Sequence, residues 1–462
     1  MADKTHTDPA RMEKIVSLCK RRGFIFQSGE LYGGLNGCWD YGPLGTELKR
    51  NLKEYWWRRH VQERDDVVGL DGSILTMQQV LVASGHVGGF SDPMVDCKTC
   101  KARFRADNLE TEQCKQKPSK CPGQAEQCEL TEPREFNLMF QTRVGASADE
   151  NDPNAIAYLR PETAQSIFVQ YKNVSDSTRV KLPFGIAQIG KSFRNEINPR
   201  NYTFRSREFE QMEIEYFCRP EDGMRLTDEW LEERLRFYEE IGIPRDKLHI
   251  LDVPDGERAF YSKKTYDIEY EFPFGIQELE GVAYRTDYDL GVHQKHSGKP
   301  LEYFDEATKE KFLPHVVEPS AGCDRTVLAL ICESFDEEEI ADDKGKAETR
   351  TVLRFAPRMA PVKCGIFPLI KKNDDLVRIS REIQRTLQPW MNVFYDDGGA
   401  VGRRYRRQDE IGTPFCITVD FDTLGENGPQ QKDTVTVRER DSMEQQRLPI
   451  GGLLPWLLER IR

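Results

Sequence analysis

The residues of this sequence that could bind charged ligands are concentrated between Ile189 and Phe217. Three arginines and five glutamates lie close together there: Arg194, Arg205, Arg207, Glu196, Glu208, Glu210, Glu213 and Glu215. Guanidinium groups bind phosphate oxygens with paired hydrogen bonds, whereas carboxylates can hold an ammonium group. The stretch therefore predicts a site for ligands of both signs, such as a nucleotide beside a free amino acid. A ladder of ion pairs on an exposed sheet is the alternative.

The pattern around these residues predicts a β-hairpin that would position them. Charged and apolar side chains alternate from Glu208 to Glu215, which is the period of a strand with two different faces. A polar turn rich in Asn and containing Pro199 separates this strand from an apolar run that ends at Phe193. The arginines would then lie near the tip of the hairpin, with the carboxylates further along it.

A second stretch with chemical potential runs from Pro314 to Ile331. An apolar strand beginning at His315 is predicted to end at Glu318-Pro-Ser320, and a turn of small residues then leads through Arg325 into a helix. Small residues at a helix start allow the backbone to approach a ligand closely. An ordinary capped helix with a surface arginine is the alternative.

Five of the 12 cysteines fall between Cys97 and Cys128, which is far more than even spacing would give. The two-residue spacing of Cys97 and Cys100 suits one tetrahedral zinc ion. Cys121 and Cys128 would complete the site, although the six residues between them exceed the usual two to four. We therefore predict a structural zinc site at these four cysteines, with reduced thiols and no metal as the alternative.

Length and composition limit the possible classes. A chain of 462 residues with 38% hydrophobic and 31% charged residues predicts a globular protein of two or three domains. No apolar run approaches the roughly 20 residues of a membrane span, and the polar start shows no secretory signal, so we expect a cytoplasmic protein without a membrane partner. The net charge of −12 argues against a surface covered with phosphate-binding groups, but a local basic patch can still bind nucleic acid.

The order of predicted elements divides the chain into two parts. The first, residues 1–350, contains helices over Arg11–Arg22 and Leu44–Glu63, a surface helix over Pro220–Gly242, and two antiparallel strands within Tyr266–Leu290. The acidic segment from Phe335 to Arg350 predicts an exposed linker that marks the domain boundary. Strands then alternate with helices over residues 351–462, which predicts a small α/β domain with a largely parallel sheet.

The second part contains one basic cluster with an aromatic residue inside it. Four arginines flank Tyr405: Arg403, Arg404, Arg406 and Arg407. Arginines interleaved with an aromatic ring suit contact with RNA phosphates and unstacked bases. A solvated face of a helix is the alternative.

Several of these stretches resemble the signature motifs of class II aminoacyl-tRNA synthetases. Phe-Arg-x-Glu at Phe193–Glu196, followed by Arg205, Phe209 and Glu213 at four-residue steps, resembles the second motif. Gly-x-Asp-Arg at Gly322–Arg325 resembles the third motif. Val80–Val95 resembles the first motif, a helix and strand that build the dimer interface in that family.

A set of short sequence stretches narrows the resemblance further. It includes Trp39-Asp-Tyr-Gly-Pro-Leu-Gly45, Ala83-Ser-Gly-His86, Arg160-Pro-Glu-Thr-Ala-Gln165, Glu278-Leu-Glu-Gly281 and Glu318-Pro-Ser320. From about Glu13 to Ile461 the chain is similar to the homodimeric bacterial family of glycyl-tRNA synthetases. The resemblance implies an α+β catalytic domain built on an antiparallel sheet over residues 1–350, with a cysteine-rich insertion at about 97–128. An α/β anticodon-binding domain over residues 351–462 would follow.

The resemblance also implies roles for individual residues, with Arg194 and Arg325 as the catalytic pair. Arg194 would bind the α-phosphate of ATP, Phe209 and Arg325 would enclose the adenine, and Glu278 would be a magnesium ligand. The implied ATP-binding residues are Arg194, Asn195, Glu196, Phe204, Arg205, Phe209, Glu278, Leu279, Gly322, Asp324 and Arg325. The implied glycine-binding residues are Arg103, Glu162, Phe209, Gln211, Glu213, Arg285, Glu318, Ser320 and Gly322.

The implied activity is the ATP-dependent attachment of glycine to its tRNA through a glycyl-adenylate. The resemblance implies a cytoplasmic homodimer that uses magnesium, with a structural zinc ion as a further candidate. Because glycine has no side chain to recognise, selectivity would come from ammonium capture and from exclusion of any β-carbon. One alternative is another class II ligase, for histidine, proline, threonine or serine. A second is a non-catalytic, synthetase-derived subunit that binds nucleic acid.

Overall fold

The structure of the protein is a computed structural model that describes residues 7–109, 125–145, 155–341 and 347–462. Two of the clustered cysteines, Cys114 and the predicted zinc ligand Cys121, lie outside these ranges. Within the described residues, no helix combines the length and the apolar character needed to cross a bilayer.

The described part of the chain folds into twelve α-helices and 24 strands. The helices are α1 Pro9–Arg22, α2 Pro43–Trp57, α3 Gln78–Ala83, α4 His86–Gly89, α5 Ala164–Thr178, α6 Gly223–Ile241, α7 Tyr288–Ser297, α8 Cys323–Ser334, α9 Asp374–Leu387, α10 Val401–Asp409, α11 Phe421–Leu424 and α12 Leu453–Ile461.

The strands before residue 300 are β1 Ile25–Gln27, β2 Trp39–Tyr41, β3 Val67–Gly69, β4 Leu75–Met77, β5 Ser91–Asp96, β6 Arg103–Arg105, β7 Arg134–Asn137, β8 Gln141–Arg143, β9 Ile156–Leu159, β10 Phe184–Phe193, β11 Glu208–Cys218, β12 Leu248–Asp252, β13 Lys264–Phe272 and β14 Gly275–Thr286. The later strands are β15 Tyr303–Phe304, β16 Lys311–Phe312, β17 His315–Gly322, β18 Phe335–Ala341, β19 Ala347–Leu353, β20 Cys364–Pro368, β21 Val393–Tyr395, β22 Phe415–Val419, β23 Thr434–Glu439 and β24 Gln445–Pro449.

A seven-stranded sheet in the order β12-β13-β14-β17-β11-β10-β3 organises the first part of the chain. Its neighbours pair antiparallel, except for the parallel pair β10 and β3. The predicted hairpin is confirmed as β10 and β11, and the predicted strand pair within Tyr266–Leu290 is confirmed as β13 and β14. The strand predicted before the third motif extends to Gly322 as β17 and leads directly into α8.

The two faces of this sheet differ because side chains alternate along each strand. On β11, Met212, Ile214 and Tyr216 join the main apolar core. Phe209 and Glu213, at the intervening positions, face the opposite side and line a cavity. Glu210 falls in the same alternation as Met212, so it lies on the core side of β11 and pairs with Lys49 and Lys53 of α2. The carboxylates of one strand therefore serve two different environments.

Helices α2, α6 and α8 cover the apolar face of the sheet. The predicted surface helix, α6, is instead largely buried: Trp230, Leu235 and Tyr238 are in the core, and Arg234 pairs with Glu280 of β14. Its apolar stripe is wide enough to pack on a sheet, and only its other side is solvated. The long helix predicted from Leu44 is observed as α2, which ends at Trp57 and is followed by a π-helical turn over Arg58–Gln62.

The acidic segment that predicted an exposed linker is a β-hairpin. Phe335 of β18 pairs with Leu353 of β19, and both side chains are buried. Arg350 is fully buried and binds Asp409 of the second part at 2.9 Å. The predicted boundary after residue 350 falls within β19, whereas the main apolar core ends at Ala360 and the next begins at Cys364. The acidic run Asp336–Glu339 therefore lies in a paired strand, partly or fully exposed, and is not a linker.

The second part of the chain is a five-stranded sheet in the order β21-β20-β22-β23-β24 with α9 and α12 packed on its core. The prediction of a largely parallel sheet is wrong, because β20 pairs parallel with β21 and β22, but β22-β23 and β23-β24 are antiparallel. The polar strand β24, whose apolar content is low, escaped the sequence prediction and creates the antiparallel edge.

Candidate active site

A cavity of about 410 Å³ lies over the polar face of the central sheet. The residues predicted for nucleotide and amino-acid binding line it together, except for Asn195 and Arg103. Those lining the cavity are Glu162, Arg194, Glu196, Phe204, Arg205, Phe209, Gln211, Glu213, Glu278, Leu279, Arg285, Glu318, Ser320, Gly322, Asp324 and Arg325. Arg194 and Arg325, which are far apart in sequence, thus share one cavity.

Arg194 marks one end of the cavity, immediately after β10. Its backbone N–H donates to Arg207 across the hairpin at 2.9 Å, and its Nε donates to the carbonyl of Pro161 at 3.1 Å. The guanidinium lies over the ring of Phe209, 5.3 Å from its centroid. These contacts orient the side chain at the cavity wall.

Arg325 lies in the first turn of α8. Its Nη1 donates to both the carbonyl oxygen and Oε2 of Glu278, each at 3.1 Å. The guanidinium is 4.4 Å from the ring centroid of Phe204, so Phe204 and not Phe209 is the ring beneath Arg325. Arg205 lies near Glu196, with 3.9 Å between Nε and Oε2.

Carboxylates gather beside Arg325. Asp267 of β13 and Glu278 of β14 both line the cavity. Burial raises the pKa of Asp267 to about 7, and the charges of Glu278 and Glu269 add to the effect. This edge of the cavity therefore has more negative charge than its neighbouring cations compensate, which favours a bound cation.

The opposite end of the cavity is built from buried groups on three neighbouring strands. Glu213 of β11 lies opposite Ser320 of β17, and Ser320 in turn lies opposite Gly281 of β14. Ser320 Oγ donates to Glu213 Oε1 at 2.8 Å, and Thr163 Oγ1 donates to the other carboxylate oxygen. Burial raises the pKa of Glu213 to about 8, with further contributions from Glu318 and Glu162.

Arg285 of β14 connects two acidic side chains at this end. Its Nη1 donates to both oxygens of Glu318, at 2.8 and 2.9 Å. Its Nε and Nη2 bind the two oxygens of Asp289 at 2.8 and 2.9 Å. The ring of Tyr261 covers the guanidinium, 4.2 Å from ring centroid to Cζ. Arg285 is therefore saturated by protein groups and fixes Glu318 in place.

Glu162 completes the acidic end, on the loop between β9 and α5. Its Oε1 accepts from Gln165 at 3.0 Å, and its Oε2 is 3.4 Å from Nε2 of His86. Burial alone would raise the pKa of Glu162, but the His86 imidazole and Arg285 outweigh it and lower the pKa. Glu162 is therefore ionised and ready to accept a cation.

The sequence analysis gave no role to Glu215, which lies two residues beyond Glu213 on the same face of β11. Its side chain is 0% exposed, and neither carboxylate oxygen has a hydrogen-bond partner among the described residues. One oxygen each from Glu213, Glu215 and Glu318 lie within 4.8 Å of one another. Burial, together with the charge of Glu318, raises the pKa of Glu215 well above its usual range. The two-residue period of β11 was the sequence signal that places Glu215 on the same face as Glu213.

Three predicted residues have other environments. Arg103 lies on β6, exposed and paired with Asp96 at 3.3 Å, because the cysteine-rich segment holds it away from the sheet. Asn195 does not line the cavity, and its backbone N–H donates to Leu138 at 2.7 Å. Asp324 touches the cavity, but its carboxylate accepts from Tyr41, Lys49 and the backbone of Glu210, so it anchors the start of α8.

Cavity residues to which the sequence analysis gave no individual role lie mostly on the segment 253–262 and on β13. They are Thr203, Ser206, Glu210, Val253, Glu257, Arg258, Ala259, Tyr261, Ser262, Thr265, Asp267, Gly281 and Ala283. Asp267 belongs to a strand whose acidic content was noticed, but the loop residues carry no comparable signal. Their position depends on how the loop packs over the sheet.

The cysteine-rich segment brings three of the predicted zinc ligands together. Cys97, Cys100 and Cys128 belong to one small buried cluster with Phe104 and Ala125. The backbone N–H of Cys100 donates to Cys97 Sγ at 3.4 Å, and Lys101 turns the chain with φ 62°. The fourth predicted ligand, Cys121, lies outside the described residues.

The arginines of α10 differ in accessibility. Arg403 is exposed, whereas Arg404 is 2% exposed and donates to the carbonyls of Pro368, Asp397 and Gly399. The prediction that Arg404 contacts nucleic acid is therefore wrong, because its guanidinium holds the loop before the helix. Arg406 and Arg407 are partly exposed and pair with Asp409 and Asp396. One face of a short helix could not present all four side chains.

Comparison with known proteins agrees with this architecture. Residues 144–335 match the family described as tRNA synthetase class II core domain (G, H, P, S and T), and residues 363–460 match the family described as Anticodon binding domain. The chain is 52% identical to a glycine–tRNA ligase of Treponema denticola, covering 98% of this chain and 97% of that protein. It is 50% identical to that of Thermobifida fusca (97% and 98%) and 47% identical to that of Thermus thermophilus (98% and 99%).

Proposed function

Since the chain belongs to the family of glycine–tRNA ligases, with a class II catalytic domain followed by an anticodon-binding domain, we propose how its cavity carries out that reaction. The predicted fold class and activity are thereby confirmed. The enzyme attaches glycine to tRNA with ATP as the energy source. The observation that carries the proposal is the division of one cavity into an arginine end and a buried acidic end.

ATP is proposed to bind at the arginine end. Arg194 would grip the α-phosphate, since a guanidinium binds phosphate oxygens in a paired geometry. Arg325 and Phe209 would enclose the adenine, with Arg325 leaving its present contact with Phe204, and Glu196 would meet the adenine edge. Arg205 would lie near the γ-phosphate. Asn195 contributes through the backbone of the hairpin tip and not through the cavity wall.

Magnesium is proposed to be held by Glu278 and Asp267 together with the phosphates of ATP. The fit rests on the excess negative charge at this edge, where burial and neighbouring carboxylates raise the pKa of Asp267 to about 7. Magnesium is usually held by one or two carboxylates plus substrate phosphates. When bound, it would neutralise phosphate charge during the displacement.

Glycine is proposed to bind at the acidic end, with its ammonium held by Glu162, Glu213 and Glu318. Ser320 and Gln211 would orient these groups, since Gln211 accepts from Ser192 at 2.7 Å and lies 3.4 Å from Ser320. Arg285 would act through Glu318. The carboxylate of glycine would point towards Arg194 and the α-phosphorus.

The first step is the attack of the glycine carboxylate on the α-phosphorus, which forms glycyl-adenylate and releases pyrophosphate. Both reactants are anionic, so Arg194 and Arg325 would screen their repulsion and stabilise the charge that develops on the phosphoryl oxygens. In the second step the terminal ribose hydroxyl of tRNA attacks the adenylate carbonyl and releases AMP. Positioning and electrostatics carry both steps, with no covalent enzyme intermediate.

The selectivity for glycine is proposed to come from the rigid acidic end. A methyl group contributes only about 1–3 kcal/mol when a pocket accommodates it. Here Glu213 is hydrogen-bonded to Ser320, and Glu318 to Arg285, so a β-carbon would have to displace groups that are already paired. Exclusion by such a wall can exceed the methyl contribution.

The remaining partners are proposed from surface features. Arg403, Arg406 and Arg407 of α10 would contact tRNA phosphates in the anticodon-binding domain. A homodimer is supported by exposed apolar side chains in or just before the segment that resembles the first motif, namely Leu75, Met77 and Val82, which are 49%, 66% and 45% exposed. The expected compartment is the cytoplasm.

A structural zinc ion is proposed at Cys97, Cys100, Cys121 and Cys128. Two observations support this zinc site. Cys97, Cys100 and Cys128 belong to one small cluster, and the backbone N–H of Cys100 donates to Cys97 Sγ, a contact that stabilises a thiolate. The zinc would hold the cysteine-rich segment together and would take no part in the reaction.

The test of the proposed function is ATP–pyrophosphate exchange against each standard amino acid, followed by charging of tRNA. Exchange with glycine alone is expected. Exchange with histidine, proline, threonine or serine would indicate another class II ligase, and exchange with none would indicate a binding subunit. An Arg194→Ala, Arg325→Ala double variant is expected to abolish exchange and serves as the inactive control.

A further inference from the structure

Glu162 is an acidic residue of the cavity whose side chain is oriented by groups outside the central sheet. Its loop is held by two hydrogen bonds from side chains to backbone carbonyls: Arg160 Nε donates to the carbonyl of Lys191 at 2.7 Å, and Arg194 Nε donates to the carbonyl of Pro161 at 3.1 Å. Those bonds fix the peptide but not the carboxylate. The carboxylate is held instead by Gln165 on one oxygen and by His86 near the other.

His86 lies at the start of α4 and does not line the cavity. Its side chain is 13% exposed, and its Nε2 is 3.4 Å from Glu162 Oε2. Since a carboxylate accepts hydrogen bonds, the ring presents a protonated Nε2 to Glu162. At the other edge of the ring, Nδ1 is 2.8 Å from Oγ of the buried Ser84, which fixes the plane of the imidazole.

The segment that carries Ser84 and His86 is anchored to the strand that leads into Glu162. Leu81 of α3 forms a small buried cluster with Tyr158 of β9 and Met139. Strand β9 ends at Leu159, and Pro161 and Glu162 are the second and third residues after it. The histidine and the carboxylate are therefore held by one packed unit, so their approach is built into the fold.

We propose that His86 is a positioning residue for glycine capture, acting through Glu162, with Ser84 fixing the orientation of its ring. This inference rests on the proposed role of Glu162 as an ammonium ligand. Without His86, the Glu162 carboxylate would keep only Gln165 as a side-chain partner among those described above and could rotate away from the ammonium site. The contact of Phe90 with both the His86 ring and Arg194, 5.3 Å in each case, places the segment near the nucleotide but supplies no polar group to it.

The proposal predicts a selective effect on glycine. His86→Leu, which removes the N–H donor, is expected to raise the KM for glycine in pyrophosphate exchange by about tenfold or more, as the loss of a hydrogen bond to a charged group does. The KM for ATP is expected to change by less than about twofold. His86→Gln places an amide N–H near the same point and is expected to recover most of the glycine affinity, whereas Ser84→Ala is expected to raise the glycine KM by about threefold.

A double-mutant cycle with Glu162→Gln tests whether His86 acts through Glu162. If it does, adding His86→Leu to Glu162→Gln changes the glycine KM little beyond the single Glu162→Gln variant. The matched control is His296→Leu, because His296 is exposed on α7 and contacts neither group. Circular dichroism and the unchanged ATP KM would show that the variants fold.

Three results would overturn the proposal. They are a wild-type glycine KM in His86→Leu, an equal loss for ATP and glycine, and an effect of His86→Leu that persists in full in the Glu162→Gln background. Failure of the proposed function is a separate outcome, since it would appear as absent glycine exchange in the wild-type protein.

Discussion

The two ends of the cavity use the same kinds of charged residue in opposite ways. At the nucleotide end, the Arg325 side chain is 26% exposed, and its contact with Glu278 involves a carboxylate that is 48% exposed. At the amino-acid end, the Arg285 side chain is 4% exposed, and its guanidinium is saturated by Glu318 and Asp289. Arg325 can therefore exchange partners at little cost in free energy, whereas Arg285 cannot.

This difference matches the ligands that the two ends are proposed to bind. A nucleoside triphosphate is large and flexible, so side chains that rearrange around it can still make many contacts. Glycine offers only an ammonium and a carboxylate, so its recognition depends on groups whose positions are set before it arrives. The buried acidic end is therefore proposed to combine binding with a structural role, whereas the arginine end is proposed to serve mainly binding.

The strongest test of this comparison is Arg285→Met. Removal of the guanidinium leaves Glu318 and Asp289 buried without a counter-charge, beside Glu213 and Glu215. We expect a loss of about 3–5 kcal/mol in the free energy of unfolding and no detectable glycine exchange. Urea denaturation gives the free energy, and Arg225→Met is the control, because Arg225 is 56% exposed on α6 and forms only surface pairs.

If the Arg285→Met protein were as stable as the wild type, the ion pairs at the acidic end would not contribute to the stability of the fold. The comparison between the two ends would then fail, even if glycine exchange were lost.

At the nucleotide end, Arg194→Ala is expected to separate function from stability. Loss of one preorganised cationic donor at a developing phosphoryl charge lowers kcat/KM by about 10²–10³-fold. The unfolding free energy is expected to fall by less than about 1 kcal/mol, since the side chain makes few bonds within the protein. Arg385→Ala, an exposed position on α9, is the matched control in both assays. A large loss of stability would contradict the comparison.

The smallest contrast lies within the acidic end, between Glu213 and Glu215. Glu213→Gln removes a proposed ammonium ligand and is expected to raise the glycine KM by roughly 10–100-fold. Glu215→Gln is expected to change it by less than about threefold, because burial raises the pKa of Glu215 and so favours the neutral form, and no partner among the described residues binds its carboxylate oxygens. Equal effects of the two substitutions would show that Glu215 is ionised in the working enzyme.

The pH dependence sharpens this contrast. Burial raises the pKa of Glu213 to about 8, so the native protein keeps this proton over a range in which the unfolded chain has lost it. The contribution of Glu213 to stability therefore falls as pH rises from its unfolded value of about 4.5 to about 8. Capture of an ammonium requires the ionised form, so the glycine KM is expected to fall as pH rises towards 8. The fall of the glycine KM with rising pH should be weaker in the Glu213→Gln variant.

Much of the site could be predicted from sequence because its residues occur in local patterns. Alternation along β11 separates the core side chains Met212 and Ile214 from Glu213, and the small-residue turn before α8 places Arg325 at a helix start. The resemblance to a family supplied the roles of residues such as Glu162 and Glu318, which no local pattern explains. Arg103 shows the limit of that transfer, since its strand belongs to a separate small sheet.

The sequence by itself determined which side chains share a face of each element, because the periods of strands and helices are local properties of the chain. Only the tertiary structure decided which faces meet: the register of β11, β14 and β17 joins Glu213, Ser320, Glu318 and Arg285. It also buried α6, which the sequence predicted as a surface helix, Arg404, which it predicted to contact RNA, and Glu215, to which it gave no individual role. Burial and register depend on packing between segments far apart in sequence, and that packing sets the charge state of the acidic end.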